Sequence, residues 1–228
     1  MTVEPTKLSV QVNDSDKVTA LLYFAEKKQR AGITLILGPG AGAGQTHPFM
    51  RLFARAMAER GIDCVTFDFL YMEQGRKAPD PKAKLEACYT AVIQAVTKEK
   101  RLAGNRLAIG GKSMGGRIGS QVAADSSQNL PISALVFLGY PLHPPGRPDQ
   151  LRDAHLKLIT APMLFVQGAR DAFGTPDELN VVINRDRLPA TLYVVEGGDH
   201  SLKAPKKSGF TQEQVYQNIF DEIIRFLT

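Results

Sequence analysis

Ser113 stands in the run Gly110-Gly111-Lys112-Ser113-Met114-Gly115-Gly116, whose residue types admit two kinds of chemistry. Taken as Gly-Lys-Ser, the run suggests a phosphate cradle. Taken as Gly-x-Ser-x-Gly, it suggests a sharp turn that presents a nucleophilic hydroxyl. A phosphate loop needs Gly-x-x-x-x-Gly-Lys-Ser, because the first glycine opens the loop that lets backbone amides surround the phosphates. That first position holds Arg106, and Leu107-Ala108-Ile109 between them have the texture of a strand. The turn fits better. Gly111 and Gly115, two positions either side of the serine, leave room for a strand and a helix to approach closely. The Met114 amide, at the start of that helix, points where negative charge would develop during acyl transfer. A purely structural glycine turn is the alternative.

A serine hydroxyl is a weak nucleophile at neutral pH and needs a general base held by a third group. After a serine of this kind the acid follows in the chain, and then the histidine. His200, in Glu196-Gly197-Gly198-Asp199-His200-Ser201, follows the last apolar run and is the expected base. His47 begins a helical segment and His143 follows a strand, so both are expected as lining near the mouth of a site. His155, in a polar helical stretch, is expected at the surface. Asp171, in Gln167-Gly168-Ala169-Arg170-Asp171, precedes His200 and is the expected acid, with Asp199 and Asp68 as rivals. Asp199 adjoins the base but should point away from it, and Asp68 precedes the serine. A second oxyanion donor is expected from Gly38-Pro39-Gly40-Ala41-Gly42, at the Ala41 amide first and Gly42 next, unless this is a plain flexible loop.

Groups so far apart in the chain need a scaffold that brings them to one edge. Leu8 to Val12 and Val18 to Phe24 alternate as two antiparallel strands, with Asn13-Asp14 as the turn. Ile33 to Leu37, Cys64 to Phe67, Arg106 to Ile109, Ala134 to Leu138, Met163 to Val166 and Leu192 to Val195 are short, nearly continuous apolar runs, as in strands buried on both faces. Helical periodicity covers Pro48 to Glu59, Lys82 to Lys100, Met114 to Asp125, Asp177 to Arg187 and Gln212 to Leu227. Thr46 and Thr175-Pro176 are expected caps, and Gly61 a stop. The alternation predicts an α/β fold: a mostly parallel, eight-stranded sheet with helices on both faces and right-handed crossovers. Ligands of such sheets bind beyond the carboxyl ends of the strands. The chemistry should therefore lie in Gly38 to Gly44, Asp68 to Tyr71, Gly111 to Gly116, Gly139 to Pro145, Gly168 to Gly174 and Gly197 to Ser201.

The 228 residues suit one domain, 1–228, of ordinary composition, 43% hydrophobic and 22% charged. The net charge of +5 is a mild excess, most concentrated at Lys203, Lys206 and Lys207. That cluster is expected to be a solvated loop, with guidance of an anionic substrate as the alternative; no basic stripe interleaved with aromatics accompanies it, so no nucleic-acid partner is expected. The N-terminus lacks the regions of a signal peptide and no apolar run reaches spanning length, so a cytoplasmic protein with no membrane partner is expected. Cys64 and Cys88 lack metal-ligand spacing and are expected as buried free thiols.

The segments LGPGAGAGQTHPFM, GGKSMGGR, LGYPLHPPGRPDQLRDAHL, MLFVQGARDAFGT and EGGDHSL carry a resemblance. From Ile33 to the C-terminus the chain resembles α/β-hydrolases close to the dienelactone hydrolases, in the branch that includes the testis-expressed and NSL-complex-subunit hydrolase-like domains. The resemblance implies the α/β-hydrolase fold and puts Ser113, Asp171 and His200 at the family's triad positions. Many relatives carry histidine where this chain has Pro39; the donor there is a later backbone amide, so the oxyanion hole should survive. A lid usually grows after the strand ending at Leu138. Here Tyr140 to Ala161 is short and proline-rich, with Leu151 to Leu158 as one small helix, so a minimal lid is expected. That favours an open pocket for a small ester, thioester or amide, with Tyr140 and His143 either on its rim or in structural roles, and Gly42 beside the substrate. The expected activity is that of a serine esterase without metal or other cofactor. Its alternatives are a catalytically silent interaction module, since members of this branch serve in larger assemblies, and an acyltransferase. Substrate and oligomeric state lie beyond the sequence.

Overall fold

The computed structural model describes residues 4–205 and 209–228. Eight strands form one sheet: β1 (Thr6–Gln11), β2 (Lys17–Tyr23), β3 (Ile33–Gly38), β4 (Asp63–Phe67), β5 (Arg106–Lys112), β6 (Ile132–Leu138), β7 (Met163–Gly168) and β8 (Ala190–Val195). Their order is β1-β2-β4-β3-β5-β6-β7-β8. The β1–β2 and β2–β4 pairs are antiparallel and the remaining pairs parallel. Among the described residues six helices accompany them: α1 (Pro48–Glu59), α2 (Leu70–Glu73), α3 (Lys82–Thr97), α4 (Met114–Ala124), α5 (Pro176–Asp186) and α6 (Gln212–Leu227).

The two-residue period of a strand divides each continuous apolar run between two layers. In β3, Leu35 and Leu37 face the α1/α6 side with Phe53, Ile219 and Phe220, while Ile36 faces the α2–α5 side with Tyr89, Ile118 and Leu179. In β6, Val136 and Leu138 join the first group, Leu135 and Phe137 the second. Each large side chain buried this way contributes about 1.5–3 kcal/mol, and a polar residue in either set would forfeit it. Cys64 and Cys88 are buried and unbonded. Burial pushes the Cys88 thiol up to about 12 and raises that of Cys64 as well, so both stay protonated.

Several boundaries differ from expectation for local reasons. His47, not Thr46, caps α1, its Nδ1 accepting the Phe49 amide at 3.2 Å. The helix α3 stops at Thr97, and a separate 3₁₀ turn covers Lys100–Leu102. The expected helix over Leu151 to Leu158 is reduced to a 3₁₀ turn at Leu156–Leu158, because Leu142, Leu156 and Ile159 sink into the core and pull the segment flat. Thr175 forms a full capping box with Glu178, as its sequence context promised.

The chain leaves β3 for β4 on one side and later returns to β5 on the other. The carboxyl ends of β3 and β5 therefore flank the point where the strand order reverses, which is where such sheets bind ligands.

Candidate active site

Ser113 links β5 to α4 with φ 49° and ψ −115°, a conformation that costs a non-glycine residue about 1–3 kcal/mol. Close packing enforces it. A Cβ at Gly111 would lie 2.2 Å from the Gly38 carbonyl oxygen, and one at Gly115 would lie 2.1 Å from the same atom. Only glycine at both positions lets β3, β5 and α4 meet. The Ser113 amide donates to Leu138 O at 3.1 Å and its carbonyl accepts the Arg117 amide at 3.1 Å, which pins the β5–α4 turn to the neighbouring strand β6 and to the helix.

His200 follows β8 on the Gly197–Ser201 turn, and its Nε2 lies 2.8 Å from Ser113 Oγ. Its Nδ1 lies 2.8 and 3.0 Å from the two oxygens of Asp171. Since Nδ1 faces only acceptors, it carries the proton, and Nε2 is left to accept from the serine hydroxyl. Asp171 is buried at the end of β7, where it also accepts the Phe173 amide at 2.8 Å and Gln167 Nε2 at 2.9 Å. Three donors on one buried carboxylate, the imidazole reaching both of its oxygens, satisfy a charge that would otherwise be costly. The rival acids are engaged elsewhere. Asp199 accepts the Ser201 and Lys203 amides at 2.8 and 3.0 Å, bracing the turn that carries His200. Asp68 accepts the Gln45 amide at 2.7 Å, and burial raises its carboxyl.

Lys112, beside the serine, donates from Nζ to the His200 carbonyl oxygen at 2.7 Å. It thereby ties the turn that carries His200 to the end of β5. Burial lowers its ammonium from the ordinary value to about 8, against the opposing pull of Asp171 and Asp199. The Phe173 ring stacks on the His200 imidazole with centroids 4.1 Å apart.

The Gly38–Gly42 loop passes close enough that a Cβ at Gly40 would lie 3.8 Å from Ser113 Cβ. The Gly42 amide donates to Tyr71 Oη at 3.0 Å, so it is spent on holding the loop and is not a donor toward the serine. Ala41 lines the cavity next to Ser113 whereas Gly42 does not. That cavity, of about 700 Å³, is lined by Phe49, Met50, Phe173 and Tyr216 together with His47 and Lys203. Among the described residues no carboxylate lines it. Lys206 and Lys207 lie outside the described residues.

Three expectations need correction. Tyr140 is not on the rim: its ring is buried among Phe137 and Phe165, and its hydroxyl donates to Arg152 O at 2.8 Å. His143 is also interior, donating from Nδ1 to Pro144 O at 2.8 Å with Nε2 3.3 Å from Glu178. Both are drawn in because the segment after β6 packs down instead of rising as a lid. His155 is not a simple surface residue; its Nε2 lies 2.8 Å from Ser120 Oγ, and burial holds its imidazole down to about 4. Residues that went unnoticed are Tyr71, Gln167, Phe173 and Lys112. The first and third sit in segments directly after strands, which was the available signal; Gln167 reads as an ordinary strand end.

Residues 31–228 match the family described as an alpha/beta hydrolase domain. Among solved structures, the chain is similar to an alpha-beta serine hydrolase homologue from Coxiella burnetii, with 19% identity, a TM-score of 0.75, and coverage of 100% of this chain and 99% of that one. A dienelactone hydrolase from Anabaena variabilis gives 18%, 0.72, and coverage of 99% and 100%. An esterase from Pyrococcus furiosus gives 15%, 0.79, and coverage of 99% and 91%. The likeness in fold spans nearly the whole of each chain, and with residues 31–228 matched the chain belongs to the alpha/beta hydrolase domain family.

Proposed function

We propose that the protein is a serine hydrolase, an esterase or thioesterase of small acyl substrates, with Ser113 as nucleophile, His200 as base and Asp171 as its orienting acid. The observation that carries this reading is the unbroken run of hydrogen bonds from Ser113 Oγ through His200 to Asp171, at 2.8 Å on each side of the imidazole. Ser113 Oγ attacks the acyl carbon while its proton passes to His200 Nε2, and the carbonyl electrons move onto oxygen. The amides of Met114 and Ala41, for which no acceptor occurs among the described residues, stabilise that oxyanion; in comparable sites one such donor is worth about 3–4 kcal/mol. Collapse of the intermediate expels the leaving group, which takes the proton from Nε2. Water then attacks the acyl-serine, gives its proton to Nε2, and the acid departs as Ser113 recovers the proton.

A fluorophosphonate probe tests this directly. Wild type should be labelled and Ser113→Ala should not; equal labelling of both removes Ser113 from the chemistry. Absence of labelling together with a stable co-purifying partner would favour the silent interaction module.

A further inference from the structure

Ser113 sits on a divide. The apolar cavity lies on one side, and on the other a second cleft of about 300 Å³ runs along the first turns of α4 and α3. Ser113, Ala41 and Phe173 line both. The second cleft is lined by two guanidinium groups, Arg117 and Arg152. Arg117 is one helical turn beyond the serine, and side chains on a helix lean toward its N-terminus, so this one leans back toward the reacting atom.

Neither arginine makes an ion pair among the described residues, and each nearby acid is paired with another cation, although Asp80 keeps Oδ2 unbonded and Glu86 acts on Arg117 at a distance. Asp80, in the same cleft, pairs with Arg76 at 2.7 Å. Glu86 pairs with Lys82 at 3.4 Å, and Asp153 with Arg185 at 2.7 Å. The Nε of Arg117 is buried with no hydrogen-bond acceptor among the described residues. Burial and then the charge of Arg152 lower the Arg117 guanidinium from its ordinary value. Two like charges held together, one half-buried and with an unmet donor, are costly unless an anion joins them.

We infer that Arg117 and Arg152 form an anion subsite, so that the substrate is an ester with an apolar group for the large cavity and a carboxylate or phosphate-type group for the arginine cleft. The inference rests on the hydrolase reading of Ser113. A guanidinium fork suits either planar carboxylate or tetrahedral phosphate oxygens. With the scissile carbonyl at Ser113, the two clefts hold opposite ends of one molecule, and the charged end sets its direction.

The test uses matched substrates: mono-p-nitrophenyl glutarate, its neutral methyl ester, and an acyl chain of similar length ending in a phosphonate. Wild type should favour an anionic substrate over the neutral one by about 10- to 100-fold in kcat/KM, the range for a charge-assisted hydrogen bond. The better of the two anions identifies the group. Arg152→Met leaves untouched the backbone bonds Arg152 makes to Leu142 and Tyr140, and should bring the ratio toward one. Arg117→Met should do the same, and Arg117→Lys should keep part of it. A wild-type ratio of one or below, or a ratio unchanged in both methionine variants, overturns the subsite. Binding separates this from the fate of the hydrolase reading. In Ser113→Ala, calorimetry with glutarate monoanilide should show about tenfold weaker binding when Arg117→Met is added; equal affinity overturns the subsite whether or not the fluorophosphonate labels Ser113.

Discussion

Lys112 shows how one side chain can serve geometry at the expense of stability. Its ammonium holds the His200 carbonyl at 2.7 Å, yet burial brings its acidity to about 8, below the ordinary 10.5. Below pH 8 the charge is carried in both the folded and unfolded chains, and folding bears the full desolvation penalty. Between about 8 and 10.5 the unfolded chain keeps a proton that the folded chain has released, so this group's contribution to stability rises with pH across that window. We predict that the urea-derived stability of wild type relative to Lys112→Met shifts in favour of wild type over this range, by on the order of 3 kcal/mol. A difference that stays flat from pH 7 to 10.5 would show that Nζ is not desolvated as described.

At the scale of elements, the loop after β3 is held by the single turn of helix after β4. Tyr71 is fully buried on α2 and its hydroxyl accepts the Gly42 amide, which fixes the neighbouring Ala41 beside Ser113. Removing that oxygen leaves a buried donor unmet and frees the loop, at a cost of about 1–3 kcal/mol. In the proposed mechanism the Ala41 amide acts on charge that exists only in the transition state, so the loss should fall on turnover more than on binding. Tyr71→Phe is therefore predicted to lower kcat about tenfold, with KM little changed. Steady-state kinetics on a short acyl ester checks this, and an unaltered kcat would disconnect Tyr71 from the oxyanion loop.

Across the whole molecule, the segment from Tyr140 to Ala161 acts as a strap and not as a cover. Tyr140 donates to Arg152 O, the Arg152 amide returns to Leu142 O, and Asp153 is paired with Arg185 of α5. Leu156 and Ile159 bury their side chains in the core. No helix among the described residues is long and apolar enough to cross a membrane. With nothing to lift, the site should admit dissolved substrate directly. We predict that the rate of tributyrin hydrolysis rises smoothly through the solubility limit of the ester. A sudden increase at that limit, followed by pH-stat, would mean that an interface opens a lid.

The order of buried strands and amphipathic helices was legible in the chain because burial on both faces leaves continuous apolar runs, and β3, β5, β6 and β7 have little polar content to obscure them. Gly111 and Gly115 were equally legible, since close backbone approach tolerates no other residue. Ser113, Asp171 and His200 could be chosen by type and chain order alone. Other features depended on contacts between segments distant in the chain, which leave no local pattern. Tyr140 and His143 followed strands as site residues do, yet core packing drew them inward. Tyr71 and Lys112 each gained a role from one hydrogen bond to a distant segment, and Gln167 from a set of bonds to Tyr140, Asp171 and Gly174. The pairing of Arg117 with Arg152, and the commitment of the surrounding acids to other cations, arose only when α4 and the strap were folded together, because a charge's partner is set by distance in space and not along the chain.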